Sequence, residues 1–121
     1  MLFGSSGIRR KFSLDLVEIA LSAGFAVSAH AENVVIGMDT RTTSDIIANI
    51  FIAGCIGNGA SIQSCGVVPT PVVAYNTRNS AAGCMVTASH NPEEYNGLKL
   101  FNPDGSSFTK SQQETLSLIH I

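Results

Sequence analysis

Ala82-Gly83-Cys84-Met85-Val86-Thr87-Ala88-Ser89-His90-Asn91-Pro92, continued by Glu93-Glu94-Tyr95-Asn96-Gly97-Leu98-Lys99-Leu100-Phe101, sets two apolar runs on either side of a short polar loop. Residues 82–88 carry no charge and read as a central strand. Asn91-Pro92 stops that strand, because proline has no N–H to give a ladder and restricts the residue before it. The segment 89–97 is too short for a helical crossover, so residues 98–101 are expected to pair antiparallel with 82–88. Asn96-Gly97 supplies a tight reversal just before them.

Working outward, alternating strands and helices appear on both sides. Leu14, Val17, Leu21 and Phe25, with Leu16 and Ala20 beside them, recur at helical spacing and predict a helix over 13–29 with Ser13 as its N-cap. Residues 33–38 are short, β-branched and uncharged, a buried strand ending in the polar loop 39–43. Ser44 is expected to cap the next helix, with Asp45 favourably placed against its dipole. Residues 61–65 read as a weaker strand, Pro69-Thr70-Pro71 opens a helix to about residue 77, and 110–119 form the last helix after an Asn102-Pro103-Asp104-Gly105 turn. Short connections between alternating elements imply a parallel sheet between helices. The expected fold is therefore a three-layer α/β/α domain with a mixed four-stranded sheet, its last strand antiparallel. The loops after the strands, 39–44, 66–70 and 89–96, sit where open α/β sheets place ligands.

Composition narrows the function classes. The chain has 121 residues, 45% of them hydrophobic and 13% charged, with a net charge of −2. One domain of this size buries a real core, and a mildly acidic chain is a poor match for a phosphate-neutralising nucleic-acid surface. Between Ile46 and Pro92 the one charged side chain is Arg78, so that span is interior or covered by a partner. The apolar stretch 46–56 is too short to cross a bilayer and reads as a buried helix. Cys55, Cys65 and Cys84 lack a C-x-x-C spacing and are expected to be buried, reduced thiols. The first ten residues show no apolar signal region, so a cytoplasmic protein without membrane association is expected.

Read from the residues alone, Ser89 is a hydroxyl at a strand-to-loop corner, either a nucleophile or a capping serine. His90 beside it is either a loop histidine or a hydrogen-bonding and proton-moving partner. No Gly-x-Ser-x-Gly elbow surrounds Ser89, which weakens a serine-hydrolase reading.

As a whole string, Thr87-Ala88-Ser89-His90-Asn91-Pro92 with Tyr95-Asn96-Gly97-Leu98-Lys99 resembles the phosphoserine loop of the α-D-phosphohexomutases, the phosphoglucomutase/phosphomannomutase family. Phe3-Gly4-Ser5-Ser6-Gly7-Ile8-Arg9 is similar to that family's opening segment, although Arg10 stands where the family commonly has glycine. Gly37-Met38-Asp39-Thr40-Arg41 with Ser44, and Gly66-Val67-Val68-Pro69-Thr70-Pro71, match two further elements in order. The resemblance covers most of residues 3–102 and corresponds to the family's first domain. It implies that 1–121 is the phosphoserine-bearing domain I, ending within its last helix, without the later metal, sugar and phosphate loops.

The resemblance also implies roles. Ser89 would carry a phosphoryl group between hexose 6-phosphate and hexose 1-phosphate through a sugar bisphosphate, and its phosphate would give one oxygen to Mg²⁺. His90, Arg9 and Lys99 would be catalytic, with Lys99 turned to the active site rather than outward. Ser6, Arg41 and Asn91 would bind substrate or phosphate, Arg41 also positioning its loop through Asp39. Asp39 and Glu93 are the nearby acids the sequence suggests, and with no acidic metal loop present the isolated chain is expected to bind Mg²⁺ poorly. Turnover would need the remaining domains. Rival readings are a phosphoglucosamine mutase domain and a non-catalytic binding or self-associating fragment. Alone, the chain is expected to self-associate, as a homodimer through an exposed domain surface.

Overall fold

The computed structural model describes the backbone of residues 3–4 and 7–120 and the side chains of 7–117. Eleven elements follow in order: β1 (Phe3–Gly4), β2 (Gly7–Lys11), α1 (Leu14–Ser28), β3 (Asn33–Met38), α2 (Ser44–Gly57), β4 (Ser61–Val67), α3 (Thr70–Asn76), a 3₁₀ turn (Thr77–Asn79), β5 (Ala82–Val86), β6 (Tyr95–Phe101) and α4 (Lys110–His120). The strands form one sheet in the order β1-β2-β6-β5-β3-β4. β3 runs parallel to both β4 and β5, whereas β6 is antiparallel to β5 and to β2. The expected mixed α/β/α class holds, with six strands in place of four. The two additional strands are the opening hairpin, whose glycines and arginines carry no strand periodicity. Arg10 adopts ordinary strand backbone there opposite Asn96, and the hairpin's left-handed position is Gly7, at φ 97°.

Two apolar layers flank the sheet. On one side Ile8, Val34, Ile36, Val86, Leu98 and Leu100 meet α1, α2 and Leu116 of α4. On the other, Val35, Met85 and Phe101 meet Val73 of α3. Ser13 caps α1 as expected, its hydroxyl accepting from the Leu16 N–H at 3.3 Å.

The buried stripe of α1 is not the expected one. Leu16, Ile19, Ala20, Ala23 and Val27 face the core, while Leu14, Leu21 and Phe25 are 73%, 47% and 52% exposed. The reason lies in the seam with α2. A Cβ at Gly24 would land on the carbonyl oxygen of Phe51, and one at Gly54 on that of Leu21. Helices this close admit only small residues between them, so the larger side chains turn outward.

Cys55 and Cys84 are buried, Cys65 is half-buried, and all three are free thiols. Burial pushes the Cys55 thiol up to about 11 and Cys84 well above its ordinary value, so neither supplies thiolate at neutral pH. Among the described residues, no helix is long and apolar enough to cross a membrane.

Candidate functional site

Parallel neighbours that end in register deliver their next residues side by side. Met38 of β3 pairs with Val86 of β5, and the Asp39 N–H donates to the Val86 carbonyl at 3.1 Å. Asp39 and Thr87 therefore leave the sheet together at its carboxyl edge. The Thr87 hydroxyl donates to Asp39 Oδ2 at 2.7 Å, and the Ser44 hydroxyl donates to Oδ1 at 2.5 Å. Ser44 was expected to cap α2, but the N-cap is Thr43, and Ser44 is fully buried within the first turn. Its hydroxyl is taken by the carboxylate and by Asn96, whose Nδ2 donates to Ser44 Oγ at 3.0 Å and to Thr43 Oγ1 at 2.9 Å.

Ser89 follows Thr87 by two residues and is exposed. Its φ of 53° makes it the one non-glycine residue in the left-handed region among those described. That conformation costs an L-residue about 1–2 kcal/mol and persists only where surrounding bonds hold it. The Ser89 N–H donates to Thr87 Oγ1 at 3.0 Å. Asn91 closes the turn, its backbone N–H and Nδ2 both donating to the Ala88 carbonyl, at 3.0 and 2.8 Å.

Arg41 holds the rest of the loop. Its Nη1 donates to the carbonyls of Pro92 (2.7 Å) and Tyr95 (3.1 Å), and its Nη2 to those of Ser89 (3.0 Å) and Asn91 (2.7 Å). Its Nε lies 3.4 Å from Asp39 Oδ2, and the side chain is 10% exposed. With its fork on four carbonyls and a carboxylate, Arg41 positions the loop, and Asn91 closes the turn.

Arg9 lies in β2 opposite Gly97. Burial and the nearby charge of Arg41 lower its guanidinium pKa, so two cationic groups converge beside the serine loop. His90 is exposed next to Ser89. Lys99 of β6 pairs with Met85 of β5, and its ammonium lies 5.7 Å from the Phe101 ring centroid. Ser6 lies outside the described residues.

Burial pushes the Asp39 carboxyl up, but the hydrogen bonds from Ser44 and Thr87 and the N–H and charge of Arg41 outweigh it and hold it below its ordinary 3.8. A depressed carboxyl contributes stability that is present above the unfolded-state pKa and lost as pH falls through the folded-state value. The melting-temperature gap between wild type and Asp39→Asn should be constant from about pH 7 to about 5 and close below 3.8. A gap unchanged at about pH 2 contradicts this assignment.

Thr87, Ser44 and Asn96 join this network, where the sequence suggests only a strand end, a cap and a turn. Their signal was faint: polar side chains inside stretches that must be buried.

Residues 1–119 match the family model for phosphoglucomutase/phosphomannomutase, alpha/beta/alpha domain I. The chain belongs to that family, as its domain I. It is 55% identical over 115 residues to the phosphoglucosamine mutase of Methanococcus aeolicus, covering 95% of this chain and 25% of that protein. To the phosphoglucosamine mutase of Methanocaldococcus jannaschii it is 45% identical over 118 residues, or 98% of this chain and 26% of the other. A crystal structure of a "putative phosphomannomutase" from Thermus thermophilus superposes with a TM-score of 0.85 at 29% identity, over 98% of this chain and 29% of that one. Domain I thus spans about a quarter of the length of the curated relatives it matches.

The family generally uses Mg²⁺. Among the described residues no group of three or more His, Cys, Asp or Glu side chains comes together. Asp39 has both oxygens committed, and Glu93 accepts the Thr42 N–H at 3.3 Å.

Proposed function

We propose that domain I carries the transferable phosphoryl group of a phosphohexomutase on Ser89. The observation that carries this is Ser89 itself, an exposed residue held at φ 53° just beyond β5, with the Arg41 guanidinium on its carbonyl. In one direction Ser89 Oγ bonds to phosphorus of a hexose bisphosphate as the bond to the sugar oxygen breaks and that oxygen takes up the proton. In the other, the phosphoserine gives the group to the second hydroxyl of the bound monophosphate, so 6-phosphate and 1-phosphate interconvert. Arg9 offsets the charge on the transferring oxygens, and His90 hydrogen-bonds or moves the hydroxyl proton. Lys99 adds a further positive charge for those oxygens. One oxygen of the phosphoserine would serve Mg²⁺, whose other ligands lie in the part of the enzyme beyond this domain. That part also supplies sugar recognition, so the domain alone does not turn over. The reading includes a cytoplasmic enzyme.

Among hexose phosphates, glucosamine phosphate is the favoured substrate, because the relative at 55% identity is named a phosphoglucosamine mutase. With the remaining domains supplied, incubation with glucosamine bisphosphate and Mg²⁺ should place one phosphate on Ser89 and none on Ser89→Ala. Label retained by the alanine variant overturns the reading.

Self-association as a homodimer belongs to the same proposal. Leu14, Leu21, Phe25 and Ile56 are 73%, 47%, 52% and 58% exposed on α1 and α2. At roughly 180 Å² per large apolar side chain they offer about 400 Å² per copy, or about 800 Å² for a two-fold pair, the range of weak contacts. Light scattering across a dilution series should show a concentration-dependent dimer. A monomer at every concentration contradicts it.

A further inference from the structure

The left-handed backbone of Ser89 is clamped from both sides, and both clamps lead to one carboxylate. On the amide side, the Ser89 N–H is accepted by Thr87 Oγ1 at 3.0 Å. A threonine hydroxyl has one proton to give, and here it goes to Asp39 Oδ2 at 2.7 Å. An ionised carboxylate only accepts, so it fixes the direction of that proton and leaves the lone pairs of Thr87 Oγ1 facing the Ser89 N–H. On the carbonyl side, the Ser89 oxygen is held by Arg41 Nη2 at 3.0 Å, and Arg41 is anchored to the same carboxylate through Nε at 3.4 Å and through its own N–H at 3.1 Å to Oδ1. The Ser44 hydroxyl on Oδ1 completes the anchor.

We infer that Thr87 is a positioning residue for phosphoryl transfer, relaying the orientation of Asp39 to the Ser89 backbone so that Oγ is presented to phosphorus. The inference rests on Ser89 being the phosphoacceptor. Thr87 is 7% exposed, and it acts through Ser89 rather than on substrate. Fixing the amide and the carbonyl of one residue fixes φ and ψ together, and with them the direction in which Cα–Cβ leaves the chain. Release of the amide clamp lets Ser89 relax toward the ordinary right-handed regions, which turns Oγ away from the approach line. A displacement of about 1 Å is enough to cost on the order of 10²-fold in rate. Substrate affinity, set by groups elsewhere, stays where it was.

The test compares wild type, Thr87→Val and Thr87→Ser in the intact enzyme that carries this domain, following the rate of phosphate uptake at Ser89 from hexose bisphosphate. Valine keeps the shape and removes both hydrogen bonds; serine restores the hydroxyl without the methyl group. The expected result is a loss of about 10- to 100-fold in the rate for Thr87→Val, with the bisphosphate KM unchanged and the rate recovered in Thr87→Ser. A rate equal to wild type in Thr87→Val, with wild-type Ser89 labelled, overturns the positioning role alone. No label on wild-type Ser89 overturns the phosphoacceptor reading and this inference with it. Should Thr87→Val fail to fold, amide exchange in the wild type decides: a protected Ser89 N–H supports the clamp, and free exchange overturns it.

Discussion

Arg41→Ala should lower the stability of domain I by about 2–4 kcal/mol and release the 89–95 loop from the sheet. The side chain bridges the loop after β3 to the loop after β5, donating to four carbonyls and pairing with Asp39. Removing it strands those carbonyls and leaves a carboxylate that was balanced by its charge. The lower end of the range reflects the exposure of parts of the loop, where water replaces the lost donors. Lysine should not rescue the variant, because one ammonium cannot reproduce the planar fork that reaches Ser89, Asn91, Pro92 and Tyr95 at once. Urea denaturation reports the stability, and amide exchange over 89–95 reports the loop. Stability within about 0.5 kcal/mol of wild type would show that the loop closes without Arg41.

Gly54→Ala should destabilise by about 1–3 kcal/mol although alanine is the better helix former by about 1 kcal/mol. The added Cβ meets the Leu21 carbonyl oxygen and stands 2.9 Å from the Phe25 nitrogen, both backbone atoms of α1 that have no rotamer in which to yield. α1 and α2 would have to separate along their seam, loosening Phe51 and Cys55, which are fully buried there. Gly57, one turn later, has nothing within 4 Å of an added Cβ. Gly57→Ala should therefore be neutral or stabilise slightly. Thermal melts of the two variants side by side check the seam, and equal effects would contradict it.

Most of the architecture could be read from residue patterns because its cause is local. The uncharged strand before Ser89, the Asn91-Pro92 stop and the short return to Leu98 force an antiparallel pair, and the short βα connections force the parallel ones. The opening hairpin escaped because its pairing with β6 is decided by a distant partner in the chain, Ile8 against Leu98, not by its own alternation. The α1 face was misplaced for a related reason. Two apolar stripes fit its period, and the choice between them is made by the glycines of α1 and α2 meeting each other. At the site, the serine, histidine and arginines were visible as residue types. The network that orders them was not, since Thr87, Ser44 and Asn96 acquire their partners only when β3, α2, β5 and β6 converge.

The central claim is that Ser89 is the residue that holds phosphate. Phosphopeptide mapping of the enzyme purified from its own cells tests it most directly. The account predicts a phosphorylated peptide containing residues 87–99 with the phosphate on Ser89, and its loss after incubation with excess hexose monophosphate. Phosphate on another residue of the domain, or a Ser89 phosphate that substrate does not discharge, would contradict it.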